Sequence, residues 1–502
     1  MVPSATPISL GALLAETEDA RLASGSSGVR VSGISHDSRQ VEPGDLFVAV
    51  PGFQRDGSEF IPDALDRGAA AIAAERLPAF EVQVPLVVVS NARRALADLA
   101  AAFYRHPSKD LAVVGVTGTD GKTTTTQLLS AILEGHGVKT GWLTTVNTRL
   151  GAALRPNAAE HTTPEAPIVQ RTLHEMRQAG VDVAILETSS HALELERVRA
   201  TSFRVGIFTN LSPEHINFHG SFEAYRAAKR KLFERLPLDG LAVLNADDPN
   251  SAVMRAATSA RILTYGLSSA NRPDLAASEI SLSPTGTSFT LQPDGVRINT
   301  RLVGRFNVAN WLAAYAAASH FGATPDDLAR TARTQEPVPG RMNLVDLGQP
   351  FAVVVDFAHT PQALEKALDT VRSLTRGRVL LAFGLAGGRD AANRPVMGAL
   401  AARQADFFVI TMDDPGHEDA ATIADEIAAG ARSANGCFTI ELDRRKALRL
   451  LFDRARAGDA VLLAGKGHEQ RMVVGDERRP WNDARAAADV LAELGFSKRA
   501  VP

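Results

Sequence analysis

From Leu111 onward, short apolar runs rich in β-branched residues alternate with longer Ala-rich stretches. The runs include VDVAILE (181–187), RVGIFTN (204–210), LAVLNAD (241–247), FAVVVDF (351–357), RVLLAFG (378–384), DFFVITM (406–412) and DAVLLAG (459–465). Continuous apolar runs, as opposed to strict alternation, suit strands covered on both faces of a largely parallel sheet. The Ala-rich stretches, such as 307–320, supply the covering helices. The predicted class is α/β. Polar or glycine residues close several runs: Glu187, Asn210, Asp356, Gly384, Asp413 and Gly465. Ligands of open α/β sheets gather at the carboxyl ends of strands, which makes these positions the first candidates for chemistry.

Two polar, Pro-containing breaks divide the pattern: Arg105–Asp110 and Gln335–Gly340. Proline disfavours helix at the residue before it, and both breaks read as boundaries. The expected domains are 1–108, 109–336 and 337–502: a smaller N-terminal α/β domain, a central domain with a mostly parallel sheet, and a Rossmann-like C-terminal domain. A length of 502 residues suits three domains. With 45 % hydrophobic and 22 % charged residues, the composition is that of a soluble globular chain. A formal net charge of −3 gives no bulk attraction to nucleic acid or membrane. The single cysteine, Cys437, cannot form an internal disulfide, which suits a reducing cytoplasm, and a packed side chain is expected there. No Lys or Arg occurs in the first 20 residues and no apolar run is long enough to span a bilayer, so neither a signal peptide nor a membrane span is expected. A cytoplasmic monomer acting on small molecules is the expectation.

The strongest motif is LAVVGVTGTDGKTTTT (111–126), where a strand runs into a Gly-rich turn and a helix starting near Thr123. Gly118, Thr119, Asp120 and Gly121 can curl with N–H groups facing inward, at the positive end of the helix. Lys122 then meets the outer phosphates of a nucleoside triphosphate, while Thr123 offers a hydroxyl to Mg²⁺ and Thr124 continues the cradle. A generic phosphate loop would carry glycine at position 116; this chain has Val116. Downstream, Glu187-Thr188-Ser189-Ser190-His191 and Asn210-Leu211-Ser212-Pro213-Glu214-His215 follow neighbouring strands. A carboxylate and an imidazole there suit a divalent ion beside the triphosphate.

These stretches, with YRAAKRKLF (225–233), VDFAHTPQALE (355–365), GLAGGRDAANRPVMG (384–398), GKGHE (465–469) and DSRQVEPGDLFVAVPGFQRDG (37–57), resemble the Mur ligases of peptidoglycan synthesis. Among them, the members that add the third amino acid are the most similar. The resemblance spans nearly the whole chain. It implies ATP-dependent addition of an amino acid to UDP-N-acetylmuramoyl-L-alanyl-D-glutamate, through an acyl phosphate. It implies that Ser38, Phe53, Gln54, Arg55, Thr162, Thr163, Ser189 and Arg197 meet the UDP substrate. Gly118 through Thr124, with Asn307, Arg341 and Asp356, would meet ATP, whereas Asn310 would brace its helix. Arg389, Asp413, Asp414, Pro415, Gly416, Gly465 and Glu469 would form the amino-acid site.

By spacing alone Lys229-Arg230-Lys231 is a solvated basic helix face. The resemblance instead makes Lys229 a carbamoylated lysine, an anionic oxygen ligand for Mg²⁺. Two metals are then implied, one near Thr123 and Glu187 and one near His215 and Lys229. Lys122, Lys229, Glu187 and His215 are the implied catalytic set. The family commonly has Asp-His-Leu-Asp where this chain has Glu214-His215-Ile216-Asn217.

The incoming amino acid is the finest expectation. Relatives that add meso-diaminopimelate carry Asp-Asn-Pro-Arg, with the arginine on the distal carboxylate. Here the segment is Asp413-Asp414-Pro415-Gly416. Losing the arginine and gaining a carboxylate favours a distal ammonium, as in L-lysine or L-ornithine. Alternatives are meso-diaminopimelate itself, with Asp413 and Asp414 only capping a helix, a folylpolyglutamate-type ligase, or a P-loop ATPase switch or motor. The N-terminal DSR…PGDLF segment argues against the folylpolyglutamate type.

Overall fold

The computed structural model describes residues 6–53, 55–157, 161–283, 286–389 and 391–497. Three sheets organise them. The first joins Ala20–Ser24, Leu86–Val89, Ala71–Ala74, Asp45–Ala49 and Gly33–Ser35 in that order, parallel except at Ala20–Ser24. The last runs Asn343–Leu344, Ala352–Asp356, Ala460–Ala464, Val379–Phe383, Phe407–Ile410 and Phe438–Ile440, parallel except at its first pair. Between them in sequence lies an 11-stranded sheet.

In the 11-stranded sheet the phosphate-loop strand Ala112–Thr117 lies between Val183–Glu187 and Phe203–Phe208, all parallel. Register pairs Glu187 with Val116 and Phe208 with Thr117. The loops that follow all three strands therefore emerge along one edge, as expected of a doubly wound sheet. Val116 is a fully buried residue of the strand itself, so the loop's first glycine is Gly118. Each apolar run singled out in the sequence overlaps a strand of this sheet or of the C-terminal one. Beyond that reading lie the parallel strands Thr140–Leu143 and Arg261–Gly266, the antiparallel hairpin Asn147–Leu150 and Ala153–Pro156 at one edge, and the antiparallel Leu275–Ser283, Gly286–Gln292 and Val296–Thr300 at the other. The residues of the antiparallel strands alternate more than they cluster.

The helix Lys122–Gly135 packs on Arg305–Ser319, whose Ala313, Ala314, Ala316, Ala317 and Ala318 are buried and let the two approach closely. A further helix, Pro325–Thr334, precedes the second break and is closed by a capping box at Thr324. Cys437 is exposed, contrary to the packed side chain expected, because it precedes the edge strand Phe438–Ile440. Among the described residues no helix is long and apolar enough to cross a membrane.

Candidate active site

The phosphate loop is held by its neighbours. Asp120 N donates to Asn210 Oδ1 at 3.0 Å, Asn210 Nδ2 returns a bond to Asp120 O at 3.1 Å, and Thr209 Oγ1 donates to the same carbonyl at 2.6 Å. Gly118 has φ +150° and Gly121 φ +84°; an added Cβ would stand 1.9 Å from Thr209 Oγ1 at the first and 2.6 Å from Asn310 Oδ1 at the second. Only glycine fits both. Lys122 starts the helix, and its Nζ lies 2.7 Å from Thr119 O and 3.1 Å from Gly118 O.

Lys229 converges on the same loop. In the helix Phe222–Glu234, residues Tyr225, Ala228, Lys229, Leu232 and Phe233 form the buried face, while Arg230 pairs outward with Glu234 and Lys231 with Glu194. Helical periodicity thus turns one lysine of the three basic residues inward. Lys229 Nζ donates to Gly118 O at 2.7 Å and lies over the Tyr225 ring at 4.6 Å, and among the described residues it forms no ion pair with a carboxylate. Burial first, and the nearby Lys122 charge second, push its ammonium well below the usual lysine range.

Lys122, Thr123, Glu187, His215 and Lys229 all line one cavity, together with C-terminal residues such as Arg389. Glu187 is fully buried and accepts from Thr145 N at 3.2 Å and Thr145 Oγ1 at 3.1 Å. His215 has left-handed backbone, φ +57°, and its ring meets His191 edge to face at 4.6 Å. Burial depresses the His215 imidazolium to about 4, which leaves a neutral ring able to ligate a metal. Asp120 Oδ2, on the same wall, is buried without a hydrogen-bond partner. An orphaned carboxylate oxygen beside a buried glutamate, a threonine hydroxyl and a neutral imidazole fits a hard divalent cation.

A second cavity of about 700 Å³ adjoins it on the other side of the loop, lined by Thr124, Asn310, Phe306, Arg341 and Asp356 among others. Its volume suits a nucleoside. Arg341 lines both cavities and its guanidinium lies 4.6 Å from the Phe357 ring centroid. Asp356 accepts from Met342 N at 2.7 Å. The two asparagines exchange expected places. Asn307 donates to Val303 O at 2.8 Å and accepts from Asn310 Nδ2 at 3.1 Å, so its amide is spent within its own helix, and Asn310 lines the cavity.

Of the residues expected to meet the UDP substrate, Ser189 and Thr162 line the main cavity. Thr163 and Arg197 stand behind them: Thr163 Oγ1 donates to Glu187 O at 2.7 Å, and Arg197 NH1 donates to Thr163 O at 3.0 Å while its NH2 pairs with Glu165 at 2.6 Å. These bonds make Arg197 a brace of the wall. Ser38 is buried in a short helical turn capped by Asp37. Phe53 is exposed and meets Phe218 of the central domain edge to face at 5.6 Å; Arg55 pairs with Glu59. Gln54 lies outside the described residues.

At the C-terminal end, Lys466 has no exposed side-chain surface and is ringed by Glu469 at 2.5 Å, Asp414 at 2.7 Å and Asp413 at 3.7 Å. These carboxylates outweigh burial and keep it charged. Asp414 Oδ1 also accepts from Val473 N at 2.9 Å, so its charge is engaged, where a free repelling carboxylate was expected. Neither aspartate caps the next helix, Ala420–Ser433; Asp419 does. Burial raises the Asp413 carboxyl to about 6 despite the lysine. Glu214, Tyr225, Asn310, His359 and Lys466 were not singled out in the sequence as site residues, although four of them stand within the motifs that were.

A phosphate loop and a buried strand-end carboxylate share one cavity with the acidic cluster Asp413, Asp414 and Glu469, as suits an ATP-dependent ligase that forms amide bonds. Models of the Mur ligase family, catalytic domain (residues 30–104), the Mur ligase middle domain (116–318) and the Mur ligase, glutamate ligase domain (340–467) match the chain. A UDP-N-acetylmuramyl-tripeptide synthetase of Roseiflexus sp. (strain RS-1) is 45 % identical over 93 % of this chain and 95 % of its own. A UDP-N-acetylmuramoyl-L-alanyl-D-glutamate--2,6-diaminopimelate ligase of Geobacillus thermodenitrificans is 42 % identical over 92 % and 95 %. A solved ligase bearing the latter name superposes with a TM-score of 0.67 at 28 % identity, covering 98 % of this chain and 100 % of its own. The chain belongs to the Mur ligase family, and it is an ATP-dependent ligase of peptidoglycan synthesis.

Proposed function

We propose that this ligase adds a basic diamino acid, L-lysine or L-ornithine, to UDP-N-acetylmuramoyl-L-alanyl-D-glutamate. The observation that carries the choice is the charge balance around position 416. Asp413, Asp414 and Glu469 all lie within ion-pair distance of Lys466, and Gly416 has no side chain to add a cation. A surplus of carboxylates favours a distal ammonium over a distal carboxylate. Arg389, Gly465 and Glu469 remain to hold the α-carboxylate and amine end.

In the reaction the dipeptide's terminal carboxylate takes the γ-phosphoryl group of ATP, giving an acyl phosphate and ADP. The amine then attacks the acyl carbon, and the tetrahedral intermediate expels phosphate to leave the amide. Lys122 supplies a mobile positive charge beside the transferring group. Thr162 and Ser189 orient the UDP substrate, while Arg341, Asp356 and Asn310 hold the nucleotide. Thr123, Glu187, His215 and a carbamoylated Lys229 would hold Mg²⁺, with Asp120 beside them; bound there, the ion neutralises charge on the phosphoryl oxygens. Carbamoylation is supported by Lys229 itself, because a buried lysine held below its usual range presents the neutral amine that reacts with CO₂. Action in the cytoplasm as a monomer on small molecules completes the reading. ATP turnover with and without the UDP-dipeptide, across a panel of amino acids, tests it. Turnover should require both, and turnover independent of the UDP-dipeptide would overturn the assignment.

A further inference from the structure

One carboxylate on the wall of the main cavity has no part in the account above. Glu214 precedes His215, and its side chain is 14 % exposed. Its Oε1 lies 3.5 Å from His215 Nε2 and 3.5 Å from His359 Nε2, and its Oε2 lies 3.4 Å from the Tyr225 hydroxyl. Tyr225 in turn lies 3.0 Å from Thr119 Oγ1 in the phosphate loop. His359 belongs to the other domain, in the loop after Ala352–Asp356, where its Nδ1 stands 2.7 Å from Phe357 O. One ring nitrogen thus faces a carbonyl and the other a carboxylate. The Nδ1 contact with the Phe357 carbonyl turns Nε2 toward the carboxylate of the other domain.

At 3.5 Å both contacts have room to shorten and are not tight hydrogen bonds. We propose that Glu214 and His359 form a clasp between the central and C-terminal domains. Seating His359 fixes Glu214, and Glu214 then fixes the His215 ring and the Tyr225–Thr119 link to the phosphate loop. Both are positioning residues: they couple domain seating to the geometry of the phosphoryl-transfer end. The inference rests on the ligase activity and not on which amino acid is added.

The test uses the full chain labelled for energy transfer at Cys437, which is exposed in the C-terminal domain, and at Leu238→Cys, an exposed position of the central domain. Closure is read with a non-hydrolysable ATP analogue and the UDP-dipeptide, alongside steady-state kinetics. Glu214→Gln, His359→Gln and the double variant form a cycle; Glu214→Asp keeps the charge but withdraws it, and serves should the glutamine variant melt early. Each single change should reduce the closed fraction and lower kcat about ten- to a hundred-fold, as small misplacements of reacting groups do. The KM for the UDP-dipeptide should stay within about two-fold, and the double variant should be no worse than the poorer single one. Multiplicative losses in the double variant, or an unchanged closed fraction in variants with wild-type melting temperature, would overturn the clasp. Failure of the ligase reading would look different, as the absence of UDP-dipeptide-dependent turnover in the unmutated protein.

Discussion

At Gly416 the backbone is left-handed, with φ +58°, and an added Cβ would meet nothing within 4 Å. Any side chain there costs about 1–2 kcal/mol of backbone strain but finds open space. Gly416→Arg should therefore fold and offer a guanidinium to a distal carboxylate, a charge-assisted bond worth about 1.5–3 kcal/mol. Its kcat/KM for meso-diaminopimelate relative to L-lysine should rise about ten-fold or more, measured by phosphate release. Asp413 gives a second prediction. With its carboxyl raised to about 6 by burial, it is ionised above that pH and protonated below. The substrate's side-chain ammonium stays charged throughout, since its pKa is about 10. The KM for the diamino acid should then fall as pH rises through about 6, and Asp413→Asn should flatten that limb. Much of this site was legible beforehand because the phosphate loop, Glu187, His215 and the Asp413–Gly416 segment are contiguous motifs with their own chemistry. What sequence could not give was pairing across long separations. That Lys466 would engage Asp414, or that Asn310 and not Asn307 would face the cavity, depends on which side of a turn each residue occupies.

The helix Phe222–Glu234 shows how an element converts a charge run into a site. Ser221 caps it, Tyr225, Leu232 and Phe233 anchor its buried face, and Lys229 is carried inward by the same period. Lys229→Ala should leave the melting temperature close to wild type, because it removes a buried polar head group along with its methylenes. It should lower kcat at least about a hundred-fold, with partial recovery in added formate or acetate. Full kcat at saturating Mg²⁺ would remove the lysine from the mechanism. At the same scale, the parallel strands were readable because burial on both faces leaves continuous apolar runs. The antiparallel extension from Leu275 to Thr300 was not, since its strands alternate buried and exposed positions and contain short polar residues throughout. The helix Pro325–Thr334 has a clear capping signal at Thr324 and Asp327, which a reading for proline breaks passes over.

Across the whole molecule, the two cavities share the phosphate loop and Arg341, and residues of the central and C-terminal domains meet in both. The nucleotide, the dipeptide carboxylate and the incoming amine can therefore meet only where the domains meet, which suits an intermediate as easily hydrolysed as an acyl phosphate. Relatives named for a tripeptide synthetase and for a diaminopimelate ligase match this chain at similar identity. The discrimination accordingly rests on the local charge at the C-terminal end. The measurement that bears on it most directly is kcat/KM for L-lysine, L-ornithine and meso-diaminopimelate at saturating ATP and UDP-N-acetylmuramoyl-L-alanyl-D-glutamate. One of the two basic amino acids should exceed meso-diaminopimelate by about ten-fold or more, the equivalent of one charge-assisted contact. A markedly higher value for meso-diaminopimelate than for either would contradict the account.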